Sequence, residues 1–476
     1  MRIEKDSLGE LALPATAYYG IQAERARGNF DISNHTIDEL PVFIRSIAEI
    51  KKAAALANSK IGALDHEYCR AICKAADEII EGKMQGQFPV DILQGGGSTS
   101  TNMNVNEVIA NRANEILSGQ KCYSPIHPNT HVNMGQSTND VIPAAIEIAC
   151  YRYSVELEKS LCYFEKALAK KTEEFKDVVK VSRTCIQDAV PITLGQEFSG
   201  YRDFIRRHIK LLNQSVINEK LCLPLGATAS GTGLGTFPGY MEEVYKYLQE
   251  VTNIEVEQNK NLFDGLQNGD FYIRLSAFLK SLATGLGKIA RDLRIMSSGP
   301  RTGFNEINLP AVQPGSSIMP GKINPVMPEL INQVAYQVCG NDVAISMSVE
   351  GGELDLNVWE PVIIKNLTES FTILTKSLPL FADLCIAGIT ANKEVCQKYA
   401  ESTLANATVV SAILGYETGT KVAKKAHATG KSVKEVVLEE GILSEAEVET
   451  LLNPLIITDY KQSSRIIGMK KIAAKE

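Results

Sequence analysis

LSAFLKSLATGLGKIARDLRIM, from Leu275 to Met296, places apolar side chains at Leu275, Leu279, Leu282, Leu286, Ile289, Leu293 and Met296. The steps alternate between four and three residues, which keeps all of these side chains on one helical stripe. A stripe sustained at a 3.5-residue repeat predicts a long helix packed nearly parallel to others of its kind. Earlier in the chain Leu157, Leu161, Phe164, Leu168 and Phe175 follow the same rule. Two such segments predict an all-α fold built round a central bundle of long helices. Both stripes read as core and imply no cofactor.

Composition sets the outer limits. The chain has 476 residues, 44% hydrophobic and 22% charged, ordinary for a soluble globular protein. Length alone suggests roughly two to four domains. A net charge of −7, without a basic block interleaved with aromatics, excludes a nucleic-acid footprint. The same charge mildly repels a dianionic substrate, so an anion site must be locally positive. No run approaches the ~18 consecutive apolar residues of a membrane span. MRIEKDSLGE is charged from its second residue and lacks an apolar signal segment, so the expected location is the cytoplasm.

The ten cysteines are scattered, with no CxxC pair, and read as reduced thiols. Cys69 and Cys73 stand four apart in a helical segment, which makes them neighbours on one face. His127 and His131 are also four apart, but Pro125 and Pro128 break any helix that would align them, so no metal is expected. Neither a GxxxxGK[ST] phosphate loop nor a strand–GxGxxG–helix unit is present, and no cofactor is expected.

GSSIMPGKINP, Gly315 to Pro325, is the segment that carries chemistry. Pro320 and Pro325 fix φ and remove backbone donors, while Gly315 and Gly321 free the chain on either side. It reads as a loop, and a loop of purely structural use has no need of two serines, a lysine and an asparagine. This stretch resembles the signature of the aspartase/fumarase superfamily. The resemblance continues through YYGIQAERARGNF (Tyr18–Phe30), GGGSTSTNMNVNEVIANRA (Gly95–Ala113), HVNMGQSTND (His131–Asp140), RTCIQDAVPITLGQEF (Arg183–Phe198), GATASGTGL (Gly226–Leu234) and NVWEPV (Asn357–Val362). It implies three helical domains, 1–137, 138–390 and 391–476, the middle one holding the bundle and a mobile GSS loop. It also implies a homotetramer whose active sites each draw on three chains.

The implied reaction removes a proton from carbon next to a carboxylate and expels an amine, with L-aspartate going to fumarate and ammonia. The resemblance gives Ser316 the role of catalytic base, which needs its alkoxide stabilised by N–H groups and a cation. Thr99, Ser137, Thr138 and Ser317 match the hydroxyls round the β-carboxylate. Lys322, Asn324 and Thr184 match the contacts to the α-carboxylate, and Asn139 the contact to the departing amino group. Cys185 stands where fumarases carry a histidine that handles water. Hydroxide needs such a proton donor to leave, whereas an ammonium group leaves as a neutral amine. Cys185 therefore argues against a fumarase.

Four further departures from the family pattern widen the range of substrates. Ser98 replaces a usual glycine, Gly235 a usual asparagine, Ser411-Ala412 a usual Asn-Pro, and Trp359 a methionine. Were several of them to line the pocket, a trimethylated amine would be accommodated beside Cys185 or Trp359. An ergothionase-type lyase, releasing trimethylamine from ergothioneine, is the alternative reading.

Overall fold

A hairpin of β1 (Arg2–Asp6) and β2 (Gly9–Leu13) opens the chain in the computed structural model, which describes residues 1–473. Four helices follow: α1 (Ile21–Asn29), α2 (Pro41–Lys60), α3 (His66–Ile80) and α4 (Thr99–Ser118). The 37-residue α5 (Thr138–Glu174) leads to a second hairpin, β3 (Val179–Thr184) and β4 (Gln187–Thr193), and then to α6 (Leu194–Leu212). After these come β5 (Leu221–Leu223), α7 (Tyr240–Thr252), β6 (Val256–Gln258), α8 (Leu262–Gln267) and α9 (Asp270–Met296). The last large elements are β7 (Ile307–Asn308), α10 (Val326–Glu350), α11 (Glu360–Leu384) and β8 (Thr390–Ala391). Seven shorter helices, α12 to α18, run from Lys393 to Ala473.

The architecture is mostly helical, as the stripes require. All seven stripe residues from Leu275 to Met296 are buried, and so are Leu157, Leu161, Phe164, Leu168 and Phe175. Among the described residues the strands form only two-stranded sheets, β1–β2, β3–β4, β5–β6 and β7–β8. α11 with its extension to Gly388 is long and apolar enough by composition to cross a membrane. Its Ile363, Leu367, Phe371, Leu374, Leu378 and Phe381 are nevertheless buried at 0% exposure, which accounts for that composition as core.

The chain divides into two compact units, each drawn from three stretches. The first comprises Met1–Glu158, Lys210–Ala283 and Tyr336–Thr375. Here α2 packs on α3 and α7, and α4 packs on α1 and α3. α1 begins at Gly20, which has no side chain to cap the helix. Glu107 of α4 supplies the cap, accepting from Gly20 N at 2.9 Å, Gln22 N at 2.9 Å, Ala23 N at 3.1 Å and Tyr123 Oη at 2.9 Å. A Cβ at Gly20 would stand 1.8 Å from that tyrosine oxygen, so only glycine fits.

The second unit comprises Lys159–Ile209, Thr284–Ala335 and Lys376–Glu476. Gly285 of α9 lies against the ring of Phe204 on α6, where a Cβ would meet Cζ at 1.9 Å. Phe164 and Phe381 stack at 5.4 Å between centroids. The C-terminal helices enclose a valine-rich cluster that includes Val410, Val422, Val433, Val436 and Val448.

Glu360 opens α11 in a buried position, and its Oε2 has no hydrogen-bond partner among the described residues. Burial pushes its pKa up to about 7, against the pull of its own backbone N–H. In the unfolded chain the group ionises near 4.3. Between those values the native state holds a proton that the unfolded state releases, so stability falls as pH rises through this window. Glu360→Gln removes the effect. The variant's unfolding free energy in urea is expected to match wild type at pH 4 and to exceed it by up to about 4 kcal/mol at pH 8. A difference that does not change with pH would contradict this account.

Candidate active site

In the first unit two helix N-termini carry hydroxyls. Gly96, Gly97 and Ser98 adopt φ of +81°, +56° and +62°, and this left-handed run turns the chain into α4. Thr99 is the first residue of that helix; it is exposed and donates to Gly96 O at 2.7 Å. Ser137 and Thr138 stand at the start of α5, where aligned peptide dipoles favour negative charge. Ser137 Oγ accepts from Asn139 N at 3.2 Å, and Thr138 Oγ1 accepts from Asn102 Nδ2 at 3.1 Å. Asn102 lies one turn beyond Thr99 on α4, on the same face. Asn139 Nδ2 donates to Ala229 O at 2.7 Å.

Beneath these groups is a buried polar network that the sequence reading did not single out. Asn133 Oδ1 accepts from Lys51 Nζ at 2.8 Å, Asn102 Nδ2 at 3.2 Å and Asn106 Nδ2 at 3.1 Å. Asp140 accepts from Ser137 N at 2.9 Å through one oxygen, and from Gly226 N at 3.0 Å and Thr228 N at 2.9 Å through the other. Both Lys51 and Asp140 have 0% exposure. Burial draws the Lys51 ammonium down to about 7, with the Asp140 charge opposing. Burial pushes Asp140 up to about 6 against its three N–H donors and Lys51.

The second unit supplies the remaining candidates on a hairpin and a loop. Thr184 pairs with Gln187, so Cys185 and Ile186 form the two-residue tip of the β3–β4 hairpin. Their φ values, +55° and +60°, are those of a turn that ordinarily selects asparagine and glycine. Thr184, Cys185 and Ile186 are all exposed. Strand β3 of the hairpin is fixed by Glu306, fully buried, which holds Arg183 Nη1 at 2.7 Å and Lys180 Nζ at 3.3 Å. Arg183 also lies over the Phe304 ring at 4.3 Å. A cavity of about 330 Å³ adjoins the hairpin, lined in part by Lys180, Arg183, Cys185, Glu197, Lys288 and Asp292.

The Gly315–Pro325 segment is a loop closed at its neck. Gly315 N donates to Lys322 O at 2.8 Å, and Asn324 Nδ2 donates to Gly315 O at 2.7 Å. Ser316 Oγ accepts from Ile318 N at 3.2 Å and Met319 N at 3.0 Å. Two N–H groups therefore face the one oxygen that the sequence reading singles out as a base. Ser317 and Lys322 are exposed on the same loop. No hydrogen bond joins the loop to the hairpin tip among the described residues. The structure thus gathers Ser137, Thr138 and Asn139 at one helix end with Thr99 on the adjoining α4, Thr184 and Cys185 at one hairpin tip, and Ser316, Ser317, Lys322 and Asn324 in one loop.

Comparison with known proteins identifies the family. Residues 9–340 match a family model described as lyase, and residues 407–459 one described as fumarase C C-terminus. The chain belongs to the aspartase/fumarase superfamily. An aspartate ammonia-lyase of a Bacillus species is 47% identical over 459 residues, covering 96% of this chain and 97% of that protein. The aspartate ammonia-lyase of Escherichia coli K12 is 44% identical over 455 residues, 95% of each chain. Among solved structures, the cobalt-bound fumarate lyase:delta crystallin of Brucella melitensis superposes with a TM-score of 0.93 at 43% identity, over 96% of this chain and 99% of that one. The class II fumarase of Schistosoma mansoni gives 0.92 at 34% identity, over 96% and 99%.

Within this superfamily member three of the four departures noted in the sequence have local explanations. Gly235 has φ +95°, where glycine is the natural residue. Ser98 occupies a left-handed position that glycine would fill with less strain. Ser411 packs against Gly419, and Ala412 lines an apolar cavity of about 230 Å³ in the C-terminal helices. Trp359 donates its indole N–H to Gly351 O at 2.6 Å.

The loop neck yields a direct test. A Cβ at Gly315 would stand 2.5 Å from Lys322 O and 2.7 Å from Asn324 N, so Gly315→Ala must open the neck. Most of the loop is exposed, so the melting temperature is expected to move by no more than about 2 °C, in keeping with a surface substitution. Turnover is expected to fall at least about 100-fold, as for misplaced catalytic groups. Turnover within twofold of wild type would separate the neck from catalysis.

Proposed function

We propose that this chain is an ammonia-lyase that converts L-aspartate to fumarate and ammonia. The observation that carries the reading is its full-length likeness to proteins named aspartate ammonia-lyase, over 95–96% of its length. Ser316 takes the Cβ proton, and the electron pair spreads into the adjacent carboxylate. Collapse of that dianionic intermediate forms the C=C bond and breaks C–N. The nitrogen leaves as neutral ammonia and is protonated by solvent, so no acid is required at position 185.

Thr99, Ser137, Thr138 and Ser317 hold the β-carboxylate as its charge grows, donating from helix ends and from the loop. Lys322, Asn324 and Thr184 hold the α-carboxylate, and Asn139 faces the amino group. Lys322 supplies the positive charge that the chain's net −7 withholds. The N–H groups of Ile318 and Met319 stabilise the Ser316 alkoxide. In this reading the loop closes over bound substrate and excludes water. The ergothionase alternative loses support because Gly235, Ser411-Ala412 and Trp359, which suggested a larger pocket, have packing or backbone causes.

Fumarate absorbance followed from L-aspartate and L-malate, with thiolurocanate followed from ergothioneine, tests the assignment. Aspartate alone is expected to react; absence of fumarate from it would overturn the proposal. Ser316→Ala should lower turnover by at least about 10³-fold, the scale of losing a general base.

The working form is proposed to be a homotetramer with sites shared among three chains. Tyr336, Val343 and Met347 are 64%, 58% and 70% exposed and fall on one face of α10, a heptad stripe suited to a neighbouring helix. Val343→Lys is expected to reduce the particle mass in light scattering below four chains, with activity falling in parallel. A four-chain particle that keeps its activity would remove this face from the interface.

A further inference from the structure

Two thiols on α3 have no part in the chemistry above. Cys69 and Cys73 sit one turn apart with Sγ atoms 3.9 Å from each other. Cys69 is 5% exposed and Cys73 partly exposed, so the pair opens to solvent on one side. The Ser59 hydroxyl meets the Cys69 thiol and is itself held by His66 Nδ1 at 2.8 Å. On the other side Lys52 of α2, paired with Asp77 at 2.6 Å, brings a positive charge near Cys73.

We propose that Cys69 and Cys73 form a binding site for one Cu(I) ion, held as a bis-thiolate. Metal–thiolate bonds are about 2.3 Å, so an ion bridging sulfurs at the observed 3.9 Å subtends an angle of about 116°. A small rotation of either side chain opens that angle further. Among the described residues no third His, Cys, Asp or Glu completes a larger set. Zn²⁺, which takes four ligands, and hard cations, which take oxygen, are poorly served. A soft ion content with two thiolates is well served. Binding is Cu⁺ plus two thiols giving [Cu(SR)₂]⁻ and two protons, with no change of oxidation state.

The test uses the reduced full-length protein under anaerobic conditions, with Cu(I) buffered by bathocuproine disulfonate. Wild type is expected to withdraw one equivalent of copper from the coloured chelate. Cys69→Ser and Cys73→Ser should each weaken binding by more than about 100-fold, beyond the usual loss for an outer-sphere partner. Cys222→Ser, which removes an exposed thiol elsewhere, should behave as wild type. Circular dichroism and basal turnover establish that each variant is folded. Should Cys69→Ser fail that control, Cys73→Ser at the more open position decides. Wild-type affinity in a folded Cys73→Ser protein, or a loss that follows Cys222→Ser instead, would overturn the assignment.

Discussion

The carboxylate of Asp140 does in one place what several caps do elsewhere. It is fully buried and receives three backbone N–H groups, one from the turn before α5 and two from the Gly226–Thr228 segment. Hydrogen bonds to a charged acceptor contribute about 1.5–3 kcal/mol each, and leaving such a group unpaired costs more. The start of the longest helix and the segment that holds Asn139 through Ala229 are therefore fixed by one side chain. Lys51 makes that burial tolerable, since its ammonium opposes the isolated negative charge and also anchors Asn133. A hydroxyl at Ser137 or Thr138 can be aimed only because the backbone beneath it is held in this way.

Neutral donors suit the task better than cations would. A ring of ammonium groups would bind the resting carboxylate as firmly as the intermediate and lower the barrier little. Hydroxyls and N–H groups at helix ends strengthen as charge accumulates and need no reorganisation when it does. In the proposed reaction the one cation, Lys322, is carried on the Gly315–Pro325 loop. The geometry of that loop follows from one glycine, because the Gly315–Lys322 and Asn324–Gly315 bonds close a ring that a side chain at 315 would force apart.

Much of this was legible in the sequence, for physical reasons that can be named. A heptad repeat has one cheap explanation, a buried stripe, and the stripes from Leu157 and Leu275 are buried throughout. Glycine and proline at both ends of 315–325 likewise announced a loop. The β3–β4 hairpin was not legible, because its tip is Cys-Ile and not the Asn-Gly or Asp-Gly that marks such turns. The network under Thr138 was half legible. Asn102 and Asn106 are four apart and share a helix face, but nothing local in the α2 sequence marks Lys51 as the residue that meets their partner. Contacts between residues distant in sequence leave no periodic trace.

The hairpin tip ties the structure back to the choice of leaving group. Cys185 and Ile186 both sit at positive φ, a conformation that costs roughly 1–2 kcal/mol per residue without glycine. That strain persists because strand β3 of the hairpin is over-determined by the buried Glu306 with Lys180 and Arg183. A scaffold that holds its tip so firmly controls where residue 185 stands whatever its identity. In the proposed reaction the departing ammonium group, which already carries its third proton, needs no proton donor at this tip.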